Sequence, residues 1–69
     1  MNLETIGTWA GDVYKALEAS ETKSLRLKEI KKATKLKKDY LMAALGWLGR
    51  EGKVAIEEND QDLTVTLTE

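Results

Sequence analysis

The chain has 69 residues, which is enough for one small domain over residues 1–69. Hydrophobic residues make up 42% of the chain and charged residues 33%, as in folded, soluble domains. Cysteine and histidine are both absent, which excludes disulfides, thiolate sites and the commonest general base.

The charge is distributed unevenly along the chain, although its formal net value is only −1. Residues 1–22 contain four acids and one base, residues 23–53 contain ten bases and three acids, and residues 54–69 contain five acids and no base. The three segments therefore carry −3, +7 and −5. This asymmetry favours an anionic partner for the middle segment or a partner of mixed charge for the whole chain; the simpler interpretation is a solvated helix face.

Residues 3–20 have the spacing of an amphipathic helix, with Asn2 as its N-cap and Glu4 in the first turn. Apolar side chains recur at steps of three and four: Ile6, Trp9, Ala10, Val13, Ala16 and Leu17. Gly7 and Gly11 interrupt this helix at a cost of up to about 1 kcal/mol each. Close packing inside the monomer is the simpler explanation for the two glycines, and approach by another backbone is the alternative.

Two further helices follow a turn that contains a very short strand near residue 25. The second helix is predicted over residues 26–34 and the third over residues 37–51, joined by a tight connection at Lys35-Leu36. The residues predicted to face inward are Leu27, Ile30, Ala33, Leu41, Ala44, Leu45 and Leu48. Gly52 ends the third helix, because glycine tolerates the left-handed conformation there.

The C-terminal part changes its hydrophobic period from 3.6 to 2, which predicts a β-hairpin with strands at residues 53–58 and 63–68. The polar loop between the strands is predicted at residues 59–62. Apolar side chains share one face of each strand, and threonines cover the other face of the second strand. The complete predicted core contains Ile6, Trp9, Val13, Leu17, Leu27, Ile30, Leu41, Leu45, Leu48, Val54, Ile56 and Val65.

This order of elements is that of a winged helix-turn-helix domain. Residues 25–36 resemble the second helix and turn of that fold, and residues 45–54 resemble the end of its third helix and the entry into the wing. The run Ala44-Leu45-Gly46-Trp47-Leu48, together with Glu4-Thr5-Ile6-Gly7, is similar to a small bacterial winged helix-turn-helix family without an assigned function. The resemblance implies an α+β fold with a three-helix core and a C-terminal hairpin wing. It also implies DNA binding through the third helix, although many winged helices bind proteins or dimerise instead.

Three cations occupy positions where a helix-turn-helix usually has glycine or a residue whose side chain caps the helix. They are Arg26, Lys35 and Lys37. A missing cap costs about 1 kcal/mol, and a left-handed residue other than glycine costs about 1–2 kcal/mol. One interpretation is that these charges contact phosphates. The other is that the caps lie nearby, with Ser24 serving the second helix and Asp39 compensating the start of the third.

The residues predicted to contact nucleic acid lie on the second helix, in the turn and at the start of the third helix. They are Arg26, Lys31, Lys32, Lys35, Lys37, Lys38 and Met42. If the third helix enters the major groove, only Lys38 is a strong base reader, because lysine donates to guanine O6 and N7. Met42 is limited to a thymine methyl, and Asp39 repels phosphate. The sequence therefore predicts a regulatory module that binds double-stranded DNA with weak sequence reading.

The predicted wing is acidic, with its carboxylates at Glu57, Glu58, Asp60 and Asp62. Phosphates repel these groups, so we do not expect the wing to contact DNA. The loop also lacks the glycine and distal glutamate of a calcium loop, and a solvated turn explains it better than a metal site.

Tyr40 and Trp47 lie two turns apart on one flank of the third helix. A half-buried boundary against the first helix or the wing is the ordinary explanation. The alternative is an interface, in a homodimer or with a protein partner, because small Ala43 and Gly46 flank the aromatic pair. The second functional hypothesis is therefore a protein-interaction or homodimerisation domain that does not bind DNA.

No pattern in the sequence indicates catalysis. The chain has no Ser-His or Cys-His pair and no glycine-rich phosphate loop, so we expect no enzyme activity, cofactor or small-molecule ligand. The longest apolar run is too short to span a bilayer. The N-terminus lacks the basic and apolar regions of a signal peptide, which indicates the cytoplasm.

Overall fold

The computed structural model describes residues 1–60 and 62–68. Over those residues the chain forms, in order, α1 (Leu3–Ala19), β1 (Ser24–Arg26), α2 (Leu27–Thr34), α3 (Lys38–Arg50), β2 (Val54–Asn59) and β3 (Asp62–Leu67). Each boundary predicted for the helices and the hairpin strands is confirmed to within one residue. In this described part of the chain, no helix is long and apolar enough to cross a membrane.

Local hydrogen bonds and backbone conformation set the ends of α1 and α3. Asn2 Oδ1 accepts hydrogen bonds from the backbone N–H and the hydroxyl of Thr5, each at 2.8 Å, so the predicted N-cap of α1 is confirmed. Gly52 has a φ of 73°, which is the left-handed conformation predicted for it. The chain therefore leaves α3 and enters β2 after three residues.

The described strands form an antiparallel sheet in the order β1-β3-β2. Val65 of β3 pairs with Leu25 on one side and with Ile56 on the other, so these apolar side chains share one face. On the opposite face, the hydroxyls of Ser24 and Thr66 form a hydrogen bond of 2.9 Å. The predicted short strand near residue 25 is thus the third member of the sheet.

The hairpin loop is shorter than the predicted 59–62. Asn59 pairs with Asp62 as the last rung of the β2–β3 ladder. Asn59 Nδ2 also donates to the hydroxyl of Thr64 at 3.0 Å, which holds this end of the hairpin together. Gln61 of the predicted loop lies outside the described residues.

The hydrophobic core lies between the three helices and the apolar face of the sheet. Its buried residues are Ala10, Val13, Leu17, Ile30, Leu41, Ala44, Leu45, Leu48, Val54 and Val65. Three residues of the predicted core, Ile6, Trp9 and Leu27, are only half-buried. The core therefore draws most of its buried side chains from α1 and α3, which pack directly against each other.

Two predictions about the core are wrong. Ile56 is 44% exposed, because it lies on edge strand β2, which leaves the core after Val54. Ala33 is exposed as well. At 100° per residue, Thr34 lies closer than Ala33 to the stripe formed by Leu27 and Ile30, and the half-buried Thr34 takes the inward position.

Candidate nucleic-acid interface

At the start of α2, the side chain of the N-cap residue Arg26 makes no capping hydrogen bond. Glu29 Oε1 accepts from the backbone N–H of Arg26 at 2.9 Å, which is one half of a capping box. The guanidinium has no acceptor, so it cannot form the reciprocal bond to the helix. Ser24 bonds Thr66 instead of α2, and the interpretation of Ser24 as the cap of this helix is therefore wrong.

The turn between α2 and α3 contains a left-handed lysine. Lys35 has φ 61° and ψ 20°, and its backbone N–H donates to the carbonyl of Lys31 at 2.8 Å. The hydroxyl of Thr34 donates to the Ile30 carbonyl at 2.8 Å and accepts from the Leu36 N–H at 3.3 Å. These bonds hold the turn in a conformation that costs a residue with a Cβ atom about 1–2 kcal/mol.

The start of α3 also presents cations. Lys37 is the N-cap residue and its side chain makes no capping hydrogen bond. Its Nζ atom lies 6.0 Å from the centre of the Tyr40 ring, at the limit of a cation–π contact. Asp39 in the first turn partly compensates the cations next to the positive end of the helix dipole.

A groove of about 460 Å³ lies between α2, α3 and the start of β3. The residues that line it, here called the basic groove, are Arg26, Leu27, Lys28, Lys31, Lys38, Leu41 and Asp62. None of its four cations forms an ion pair within the described residues, where the ion pair present joins Lys53 to Glu51 at 3.9 Å. The basic groove therefore has four positive charges that are available to bind an anion.

The structure brings only part of the predicted nucleic-acid set together. Arg26, Lys31 and Lys38 line the basic groove, whereas Lys32, Lys35 and Lys37 are exposed outside it. Lys28 also lines the basic groove, although the sequence analysis did not include it among the nucleic-acid contacts. Its outward position one turn before Lys31 on the same helix could have indicated this. Met42 is 41% exposed and lines a neighbouring groove.

That neighbouring groove, the wing groove, lies between α3 and the tip of the hairpin. It is lined by Leu27, Lys38, Met42, Glu58, Asn59, Asp60, Asp62 and Leu63. Lys38 and Asp62 line both grooves, and Asp62 Oδ1 also accepts from the Leu63 N–H at 2.8 Å. The acidic wing thus lies next to Lys38 of α3 and weakens the attraction of this cation for an anion at short range.

The two aromatic residues of α3 have different surroundings. The ring of Tyr40 stacks on that of Trp9, with centroids 4.4 Å apart and an interplanar angle of 16°. This contact against α1 accounts for the half-buried Tyr40 inside the monomer. Trp47 is half-buried and lines a separate groove between α1 and α3. Gly7 and Gly11 line the same groove.

The glycines of α1 are not explained by packing in the monomer. A Cβ atom built on Gly7 or on Gly11 meets no described heavy atom within 4 Å outside its own helix. The simpler explanation, close packing against another element of the same chain, is therefore wrong. The space above both glycines is open.

Comparison with known proteins agrees with the helix-turn-helix geometry. A family model described as "Winged helix-turn-helix domain (DUF2582)" matches residues 1–67, which include every described helix and strand. The chain is also similar to the uncharacterized protein MJ1608 of Methanocaldococcus jannaschii. The two are 29% identical over 62 residues, which cover 90% of this chain and 89% of the relative. The relative is archaeal, whereas the sequence resemblance was to a bacterial family. On the breadth of the family match and the observed fold, the chain belongs to this family of winged helix-turn-helix domains.

Proposed function

We propose that this domain binds double-stranded DNA, mainly through phosphates, with the basic groove and the α2–α3 turn. The observation that carries the proposal is the set of four groove cations without an ion pair among the described residues. A helix-turn-helix that docks on DNA brings these segments beside the major groove and its flanking phosphates. Phosphate contacts position a protein and supply most of its non-specific affinity.

The cations at the helix ends support the same function. Arg26 and Lys37 occupy N-cap positions without a side-chain capping bond, and Lys35 occupies a left-handed position. A cap former or glycine would make each of these positions more stable. Cations at three destabilising positions, at the two ends of α2 and the start of α3, are consistent with a role for their charge.

The exposed face of α3 favours binding with little sequence preference. Lys38 is the base-reading donor at its N-terminal end, and Met42 offers only apolar contact. Asp39, which is exposed beside them, repels phosphate and accepts at best from a cytosine amino group. Affinity therefore depends on charge more than on sequence.

The test is a salt titration of binding to a random duplex, followed by fluorescence anisotropy between about 0.1 and 0.3 M NaCl. Four neutralised phosphates give a log–log slope of about −3.6 for the wild type. The double variant Lys28→Gln, Lys31→Gln removes two groove cations that face phosphates and should flatten this slope by about 1.8. The matched control Lys23→Gln, Arg50→Gln removes two charges outside the basic groove and should keep the wild-type slope.

The rival function is a protein-interaction domain without DNA binding. The observation that favours it is the position of the acidic wing, whose Glu58 and Asp62 line the same groove as Lys38. If the folded wild type shows no binding to duplex at low salt, the DNA proposal is wrong and the protein-interaction function replaces it. Equal slopes for the two double variants would place DNA binding outside the basic groove.

A further inference from the structure

The groove that contains Trp47 is open, partly apolar and shares no lining residue with the basic groove. It has a volume of about 440 Å³ between α1 and α3. Its lining residues are Gly7, Ala10, Gly11, Tyr14, Lys15, Glu18, Trp47, Leu48, Glu51 and Lys53. We infer that a second copy of this chain docks here, with the two α1 helices crossing antiparallel so that Gly7 of each copy faces Gly11 of the other.

The outer surface of α1 has the layout that such a crossing needs. At 100° per residue, Glu4, Gly7, Gly11 and Lys15 form one stripe about 80° wide, on the side away from the buried core residues. All four positions are exposed or half-buried. The stripe therefore has two positions without side chains at its centre, an acid near the start of the helix and a base towards its end.

The open space above the glycines fits another backbone. Glycine within a helix is less stable than alanine, and among the described residues nothing lies close enough to Gly7 or Gly11 to exclude a Cβ atom. Small residues let two helix backbones approach closely, and the side chains beside them then pack against the partner. Trp47 and Tyr14 border the two glycines and would supply that packing.

Charge complementarity selects the second copy and the antiparallel direction. When Gly7 faces the partner's Gly11, Glu4 lies within one residue of the position opposite the partner's Lys15. Two-fold symmetry makes this pair twice, as an interface between identical surfaces requires. A parallel crossing would instead place Glu4 against Glu4 and Lys15 against Lys15, which repel each other.

The same register also covers an exposed apolar side chain. Leu3 is 70% exposed in the monomer, and the crossing brings it within one residue of the position opposite the partner's Tyr14. Neither Glu4 nor Lys15 forms an ion pair within residues 1–60 and 62–68, so both charges are available. The docked surface shares no residue with the basic groove, and each copy keeps that groove free.

The first experiment substitutes Gly11→Ala and measures association by sedimentation velocity between about 10 μM and 1 mM, without DNA. Alanine favours the helix and its Cβ has open space, so the melting temperature should rise. The added methyl separates the two backbones, so the dimer dissociation constant should increase about tenfold or more. The matched control Gly49→Ala, an exposed glycine of α3 outside this groove, should change the dissociation constant less than twofold.

The second experiment tests the register by exchanging the charges. Glu4→Lys alone and Lys15→Glu alone should each weaken the dimer at low salt, and the double exchange should restore it. Circular dichroism establishes that every variant is folded, since Glu4→Lys places a cation in the first turn of α1. A wild type that stays monomeric at 1 mM overturns the inference, as does a dimer that neither Gly11→Ala nor the single exchanges weaken.

Discussion

Lys35 combines a strained backbone conformation with an exposed charge. Its φ of 61° places the residue in the left-handed region, where the clash of its Cβ atom costs about 1–2 kcal/mol. Glycine has no Cβ atom and adopts this conformation without the clash. We expect Lys35→Gly to raise the free energy of unfolding by about 1 kcal/mol in urea denaturation and to weaken binding to duplex DNA.

The control for this prediction is Lys35→Gln, which removes the same charge and keeps the Cβ atom. It should weaken duplex binding as much as Lys35→Gly does, while its free energy of unfolding stays within about 0.5 kcal/mol of the wild type. A Lys35→Gly protein with the urea midpoint of the wild type would show that the turn is not strained. Unchanged duplex affinity in both variants would remove Lys35 from the DNA surface.

At the scale of elements, the sequence predicted the location of each helix and strand, because local periodicity and capping control those locations. The helical spacing and the N-cap at Asn2 located α1, and alternation of Val and Thr located β3. The exposure of Ile56 was not predictable, because alternation specifies the face of a strand and not how far the strand extends beyond the core. The place of Lys28 in the basic groove depends on how α2 and α3 cross, which no local pattern specifies.

The wing hairpin leads to a prediction about its acidic side chains. Asp62 lines the basic groove together with Lys38, so its carboxylate opposes a phosphate bound there. Asparagine keeps the Oδ1 atom that accepts from the Leu63 N–H and removes the charge. In fluorescence anisotropy at 0.1 M NaCl, Asp62→Asn should bind duplex about twofold to fivefold more tightly, as expected for an interaction of about 0.4–1 kcal/mol between partly exposed charges.

Glu57→Gln is the matched control within the same hairpin. Glu57 pairs with Thr64, and its side chain lies on the threonine face of the sheet, outside both grooves. The two variants change the net charge equally, so a purely long-range effect would strengthen binding equally in both. That result would contradict the local competition between Asp62 and phosphate.

At the scale of the whole molecule, the charge segments lie within a body of 29 × 25 × 19 Å. The Debye length is about 30 Å at 0.01 M salt and about 8 Å at 0.15 M. If the domain binds DNA as proposed, the acidic segments of α1 and the wing should act on the DNA at low salt together with the basic groove. At physiological salt the nearest cations should dominate, and we expect a dissociation constant for random duplex no better than about 10⁻⁴–10⁻⁶ M.

This difference in range predicts a curved salt dependence for duplex binding. Below about 0.05 M NaCl, where the Debye length exceeds about 13 Å, repulsion by the acidic segments offsets part of the gain from phosphate contacts. The log–log plot of the binding constant should therefore be shallower there than the slope of about −3.6 expected above 0.1 M. The triple variant Glu57→Gln, Glu58→Gln, Asp62→Asn should bind more tightly at low salt and give a straighter plot. A wild-type plot that is linear from 0.01 to 0.3 M would show that the acidic wing and α1 exert no long-range opposition to DNA.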